Sequence, residues 1–329
     1  MTDRLIDAFD GVLSDLDGVV YAGPHAIPGA TEALNRLGDY DKGLAYITNN
    51  ASRSAEQVAE HLRSLGAPAT GAQVFGSAVA GVELLAGQVA EGSSVLVVGS
   101  ATLADAVRAQ GFVVVDSAEN APDAVIQGFS PTVGWKDLAE AAYAIAAGAV
   151  WVATNTDMSI PQERGIAPGN GTLVAAVSSA TGATPLVAGK PEAALFETAA
   201  RHSGLERALV VGDRLDTDIL GGNRAGMATV LVLTGVDSAR SALSAPVDER
   251  PTFLIDDLGD LFEAYPEIAS VDGSGTYTCG SATAGVVGSE VSVQGEEDAV
   301  DSWRAACAAW WATHPRTAPG TAPTISFTA

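Results

Sequence analysis

Gly-Val-Leu-Ser-Asp-Leu-Asp-Gly-Val, residues 11–19, decides how the rest of the chain is read. Residues 11–15 have the composition of a short buried strand that ends in acid. Side chains alternate along extended backbone, so residues two apart point the same way. Asp15 and Asp17 therefore leave the strand end on one side. Alone, the pair reads equally well as two solvated turn acids, and the surroundings must decide between the readings.

Outward from this stretch, strand-like and helix-like segments alternate. Residues 29–37 read as a helix, 43–48 (GLAYIT) as a strand, and 54–65 as a helix with Ser54 as its N-cap. The pattern resumes with strands at 95–99, 112–115, 123–127 and 150–154, and with helices at 101–110, 135–147 and 169–182. A further unit has helices at 191–202 and 216–225 and strands at 208–212 and 228–233. Strands alternating with helices predict α/β architecture, with parallel sheets covered on both faces. Residues 274–293 read instead as short strands with Gly/Ser turns, and 296–314 as a helix. On that helix Trp303, Cys307 and Trp310/Trp311 fall on one face. This face is expected to pack on the core, and a homodimer contact is the alternative. From Thr317 onward the chain reads as frayed.

In open parallel sheets ligands bind beyond the carboxyl ends of the strands. Four such ends carry polar residues: Asp15 and Asp17; Thr48-Asn49-Asn50; Gly189-Lys190-Pro191; and Gly212-Asp213 with Asp216, Thr217 and Asp218 following. Each has an ordinary structural explanation as turn acids, a helix cap, a surface cation or an acidic turn. Together and in this order (DLDGV, Thr, Lys, GDxxxTD) they resemble the four motifs of the haloacid dehalogenase superfamily, over roughly residues 8–260.

The resemblance implies a Rossmann-like parallel-sheet core and a phosphatase that works through an aspartyl-phosphate intermediate. Asp15 would be the nucleophile and Asp17 the general acid and base, with Thr48 and Lys190 holding the phosphoryl group. Mg²⁺ would be held by Asp15, the backbone carbonyl of Asp17, and Asp213, with Asp218 orienting a bound water. The chemistry agrees: a carboxylate attacking an anionic phosphate needs a cation to screen the repulsion, and Mg²⁺ takes oxygen ligands. Dehalogenase members lack an acid at the place of Asp17, so its presence argues against that reaction.

Only 33 positions separate Asp15 from Thr48, whereas 142 separate Thr48 from Lys190. The second interval has room for an inserted α/β cap, as in the NagD-like branch. The expected domains are a core of 1–76 plus 185–265, a cap of 77–184 and a small α+β appendage of 266–329. TNNASR (48–53) and TNTD (154–157) also look like that branch. By this resemblance Asn49, Asn50 and Arg53 contact substrate, and Asp157 and Arg164 on the cap read its leaving group. With its appendage, the chain is similar to actinobacterial glycerol 3-phosphate phosphatases. The expected substrate is a small phosphorylated metabolite, glycerol 3-phosphate first among them. A phosphotransferase or phosphomutase on the same site, or a non-catalytic phosphometabolite-binding protein, are the competing readings. The second predicts loss of a key acid or lysine, and none is lost.

Composition narrows the partners. Lys plus Arg number 17 against 40 Asp plus Glu, a formal charge of −23. Nucleic acid, which is bound by clustered cations, is not an expected partner. The longest apolar run, 141–153, is too short to cross a membrane. The amino terminus has acids and no apolar stretch, unlike a signal peptide. Cys279 and Cys307 form no metal-ligand pair or disulfide framework, and a reduced, cytoplasmic setting is expected.

Overall fold

The computed structural model describes residues 4–49, 53–162, 164–271, 273, 275–316 and 322–328. The chain forms two compact units. The first is drawn from Met1–Ala45, Ser64–Pro68 and Ser203–Ala329, the second from Tyr46–Arg63 and Ala69–His202. The strand Gly43–Thr48 begins in the first and ends in the second.

In the first unit, Gly11–Ser14 pairs in parallel with Ala208–Gly212, which pairs with Ala228–Val232, which pairs with Phe253–Ile255. Val12, Leu13, Val210 and Val211 are fully buried, as near-continuous aliphatic runs require when helices cover both faces. Gly43 extends the same edge by donating its N–H to the Asp10 carbonyl at 2.9 Å. The segment expected as a helix over 216–225 opens as a π-turn, Leu215–Ile219, before continuing as α-helix Leu220–Arg224.

The carboxyl-terminal part of this unit is a five-stranded sheet. Ile268–Val271, Thr276–Cys279, Ala282–Val287 and Glu290–Gln294 form an antiparallel meander. The helix over it is Val300–Thr313, shorter at its start than 296–314. Trp303, Cys307 and Trp310 are buried against residues that include Leu215, Ile219 and Leu231. The aromatic stripe is thus spent on the chain's own core. Arg304, 7 % exposed, ties this helix to the parallel sheet: its Nε and Nη2 donate to the Leu254 carbonyl at 2.9 and 2.7 Å. The expectation of a frayed end from Thr317 needs correction. Thr324–Thr328 is a strand paired in parallel with Glu290–Gln294. Its β-branched and aromatic residues favour that state, and an open sheet edge receives it. Residues 317–321 and 329 lie outside the described residues.

The second unit holds a five-stranded parallel sheet in the order Leu186–Val187, Val150–Ala153, Ala124–Gln127, Ser94–Val98, Val113–Val115. Helices Ser77–Ala86 and Ala101–Ala109 fill one face through Val82, Leu85, Leu103 and Val107. Trp135–Ala146 and Asn170–Thr181 fill the other through Ala141, Ala144, Val174 and Val177. Ser54 caps Ala55–Ser64 as expected: its Oγ accepts from the Gln57 N–H, and Gln57 Oε1 accepts from the Ser54 N–H. A hairpin of Ser159–Gln162 with Gly165–Pro168 was not expected. Among the described residues, no helix is long and apolar enough to cross a membrane.

Candidate active site

Two groups of candidate residues come together, one in each unit. In the first unit, Gly11–Ser14 and Ala208–Gly212 run in parallel with Ser14 opposite Val211. Each strand is followed directly by an aspartate, Asp15 and Asp213, so the two acids leave the same end of the sheet one register step apart. The ladder continues one step further, with the Asp15 N–H donating to the Val211 carbonyl at 2.9 Å. Asp218 joins them from the π-turn. Ligand oxygens of Asp15, Asp213 and Asp218 all lie within 4.8 Å of one another, and the three residues are 8, 2 and 0 % exposed.

The surroundings hold these carboxylates in place. Asp213 Oδ2 accepts from the Val236 N–H at 2.8 Å, and Asp218 Oδ2 from the Arg214 N–H at 3.2 Å. Gly212 has no side chain, and a β-carbon there would overlap Asp218. Thr234 Oγ1 donates to the Gly18 carbonyl at 2.7 Å, fixing the loop that follows Asp17. Asp17 itself is exposed, and its carboxylate stands outside the three-acid group. One buried acid group and one exposed acid, two residues apart in sequence, suit different tasks.

The second group lies in the second unit around Asn49. Its Oδ1 accepts from the Lys190 N–H at 2.8 Å, and its Nδ2 donates to the Lys190 carbonyl and to Asp157 Oδ1, both at 3.1 Å. The Asn49 carbonyl accepts from Asn155 Nδ2 and Ser77 Oγ, both at 3.0 Å. Asn170 Nδ2 donates to the Asn155 carbonyl at 2.7 Å. Thr48, the last residue of its strand, is buried opposite Gly76. Arg53 and Arg164 are exposed and join neither group. Asn50 lies outside the described residues. Ser77, Asn155 and Asn170 were not among the expected site residues. Asn155 lies within TNTD and Asn170 at the head of a glycine-rich helix start, but nothing local marks either as a partner of Asn49.

All the donors of the three-acid group are carboxylate oxygens, a hard set of the kind Mg²⁺ prefers. Three buried carboxylates so close repel one another unless a cation or protons offset them.

Comparison with known proteins identifies the family. Residues 12–113 match the family described as haloacid dehalogenase-like hydrolase, and residues 187–261 match HAD-hydrolase-like proteins. A D-glycerol 3-phosphate phosphatase of Mycobacterium tuberculosis is 51 % identical over 254 residues, which is 77 % of this chain and 71 % of that one. The 5'-nucleotidase YutF of Bacillus subtilis is 38 % identical over 76 % of this chain and 96 % of its own length. A crystal structure of a glycerol phosphate phosphatase from M. tuberculosis in complex with magnesium matches with a TM-score of 0.86 at 42 % identity. It covers 100 % of this chain and 96 % of that one.

Proposed function

Because the chain belongs to the haloacid dehalogenase-like hydrolases, we propose that its phosphatase chemistry acts on glycerol 3-phosphate or an ester of similar size, with Mg²⁺ as its cation. The observation that carries this reading is the meeting of Asp15, Asp213 and Asp218 as three buried carboxylates. They fit the ion in donor type and charge, and the backbone N–H groups that hold Asp213 and Asp218 orient them. By the family resemblance, the Asp17 backbone carbonyl would add a further oxygen ligand. Bound there, Mg²⁺ screens the repulsion between attacking carboxylate and phosphate.

The residues divide the work as follows. A carboxylate oxygen of Asp15 attacks phosphorus, and the bond from phosphorus to the ester oxygen breaks. Asp17, exposed at the strand end, gives its proton to that departing oxygen, so the alcohol leaves neutral. The phosphoryl group is now an acyl phosphate on Asp15. Asp17, now ionised, takes a proton from water as that water attacks phosphorus. The Asp15 carboxylate leaves and inorganic phosphate is released. By the family resemblance, Lys190 would supply a positive point charge to the phosphoryl group, and Thr48 a hydroxyl donor. Positioning and charge stabilisation of this kind are most of what phosphoryl transfer requires.

The relatives bear on the substrate unequally. At 51 % identity the relative is a glycerol 3-phosphate phosphatase, and at 38 % it is a 5'-nucleotidase. The nearer of these two favours the smaller ester. Residues 77–184 are read as the cap, with Asp157 and Arg164 as its contacts to the leaving group. The test is phosphate release from glycerol 3-phosphate, phosphoglycolate, a 5'-nucleotide and a phosphopeptide, each with Mg²⁺ and with EDTA. The reading expects glycerol 3-phosphate to give the highest kcat/KM, and only with Mg²⁺. A phosphopeptide as the best of the four would overturn it.

A further inference from the structure

The backbone of Lys190 is gripped on both sides by one amide. Asn49 Oδ1 takes its N–H at 2.8 Å and Asn49 Nδ2 gives to its carbonyl at 3.1 Å. The pairing fixes which way the amide faces, because the Lys190 N–H needs an acceptor and its carbonyl a donor. The second hydrogen of Nδ2 goes to Asp157 Oδ1 at 3.1 Å. Both hydrogens of the amide are therefore committed inside the protein.

We propose that the Asn49 side chain positions Lys190 and does not itself touch substrate, and that Ser77, Asn155 and Asn170 hold Asn49 in register. This rests on the role given to Lys190 above. Ser77, Asn155 and Asn170 are 0, 4 and 1 % exposed. Polar groups so buried cost free energy unless they are hydrogen-bonded. Here they form one chain: Asn170 gives to the Asn155 carbonyl, and Asn155 and Ser77 both give to the Asn49 carbonyl. A buried hydrogen-bonded network of this kind fixes one geometry, although Asn170 Oδ1 accepts no hydrogen bond within it. Lysine needs it, since its ammonium rides on a flexible four-carbon stem, and only the backbone sets where that stem starts. The Asp157 contact ties the same clamp to the segment that follows Val150–Ala153, so a shift at Asp157 reaches Lys190 through a single side chain.

The test is a cycle of Asn49→Ala, Lys190→Ala and the double variant, with kcat/KM measured on glycerol 3-phosphate and p-nitrophenyl phosphate. A displaced Lys190 weakens interaction with the phosphoryl group, which both esters share. Asn49→Ala is expected to lose about 10- to 100-fold on both, by the same factor. In the Lys190→Ala background the same change is expected to cost less than about twofold, since the two residues act as a unit. A loss that differs about tenfold or more between the esters would mark Asn49 as a substrate contact and overturn the proposal, as would full additivity. If Lys190→Ala itself keeps wild-type turnover, the role of Lys190 fails. If Lys190→Ala is impaired and Asn49→Ala is normal, only the clamp fails. Should Asn49→Ala not fold, Asn49→Asp keeps the acceptor for the Lys190 N–H but sets a carboxylate against Asp157. Adding Asp157→Asn restores a donor across that contact and is expected to regain about threefold or more on the aryl phosphate; no regain contradicts the proposal.

Discussion

Gly18 lies directly against the carboxylate of Asp213. A β-carbon on residue 18 would overlap that carboxylate, and Gly18 has φ +79°, a conformation that side-chain-bearing residues rarely adopt. The loop after Asp17 and the acid at the end of the neighbouring strand are thus fitted to each other. Gly18→Ala should cost about 1–3 kcal/mol of stability from backbone strain. It should also push Asp213 out of the three-acid group. Phosphate release with Mg²⁺ should fall by about 10²-fold or more, as a roughly 1 Å misplacement can cause. Wild-type activity in a Gly18→Ala variant would contradict the close fit.

Metal dependence follows from the same three acids. EDTA should abolish turnover and Mg²⁺ restore it. Ca²⁺ should inhibit, because its larger and looser coordination lets Asp15 bind through both oxygens and be lost as a nucleophile. Mg²⁺ should also raise the thermal midpoint, since at about a hundred times its Kd a ligand adds about 2.7 kcal/mol of stability. Asp213→Asn should remove most of that thermal gain. Differential scanning fluorimetry with and without Mg²⁺ checks it independently of activity.

The exposed position of Asp17 separates its task from that of Asp15. Asp17→Asn should lose about 10²–10⁴ in kcat/KM on glycerol 3-phosphate, the range for general acid–base catalysis. On p-nitrophenyl phosphate the loss in forming the acyl phosphate should be far smaller, because that leaving group departs without a proton. Burst-phase measurement of nitrophenolate isolates this step. Equal losses on both esters would contradict proton donation by Asp17.

Both cysteines should be inert while the protein is folded. Burial, with Asp301 nearby, pushes the Cys279 thiol up to about 12, and burial pushes Cys307 up as well. The fold therefore favours the protonated thiols. That stability is fully present below the free-thiol range, about 8.5, and is lost as pH rises through the folded values. Ellman's reagent at pH 8 should label neither thiol in the native protein and both after unfolding. Urea midpoints should fall as pH climbs from about 9 toward 11. Rapid native labelling would contradict the burial.

Much of the fold was legible because it is written locally. Val12-Leu13 and Val210-Val211 are aliphatic runs that end in acid, and period and turn chemistry suffice to read them. Asp15, Asp213 and Asp218 could be placed together because parallel strands of one sheet end on one side. The polar chain around Asn49 was not legible, since its links span 15 to 141 positions and none follows from local pattern. The hairpin of Ser159–Gln162 with Gly165–Pro168 was hidden by prolines at 161 and 168, which argue against strands. Thr324–Thr328 is not settled as a strand by its own residues, because that state depends on an edge supplied by Glu290–Gln294.

The covalent role of Asp15 is the centre of the account, and Asp15→Asn tests it most directly. The amide is nearly the same size but cannot attack phosphorus. With saturating Mg²⁺ and a folded variant, turnover of glycerol 3-phosphate should fall by at least about 10³-fold, as removal of a nucleophile does elsewhere. Turnover within about tenfold of the wild type would contradict the account, because an attack that leaves Asp15 out would then carry the reaction.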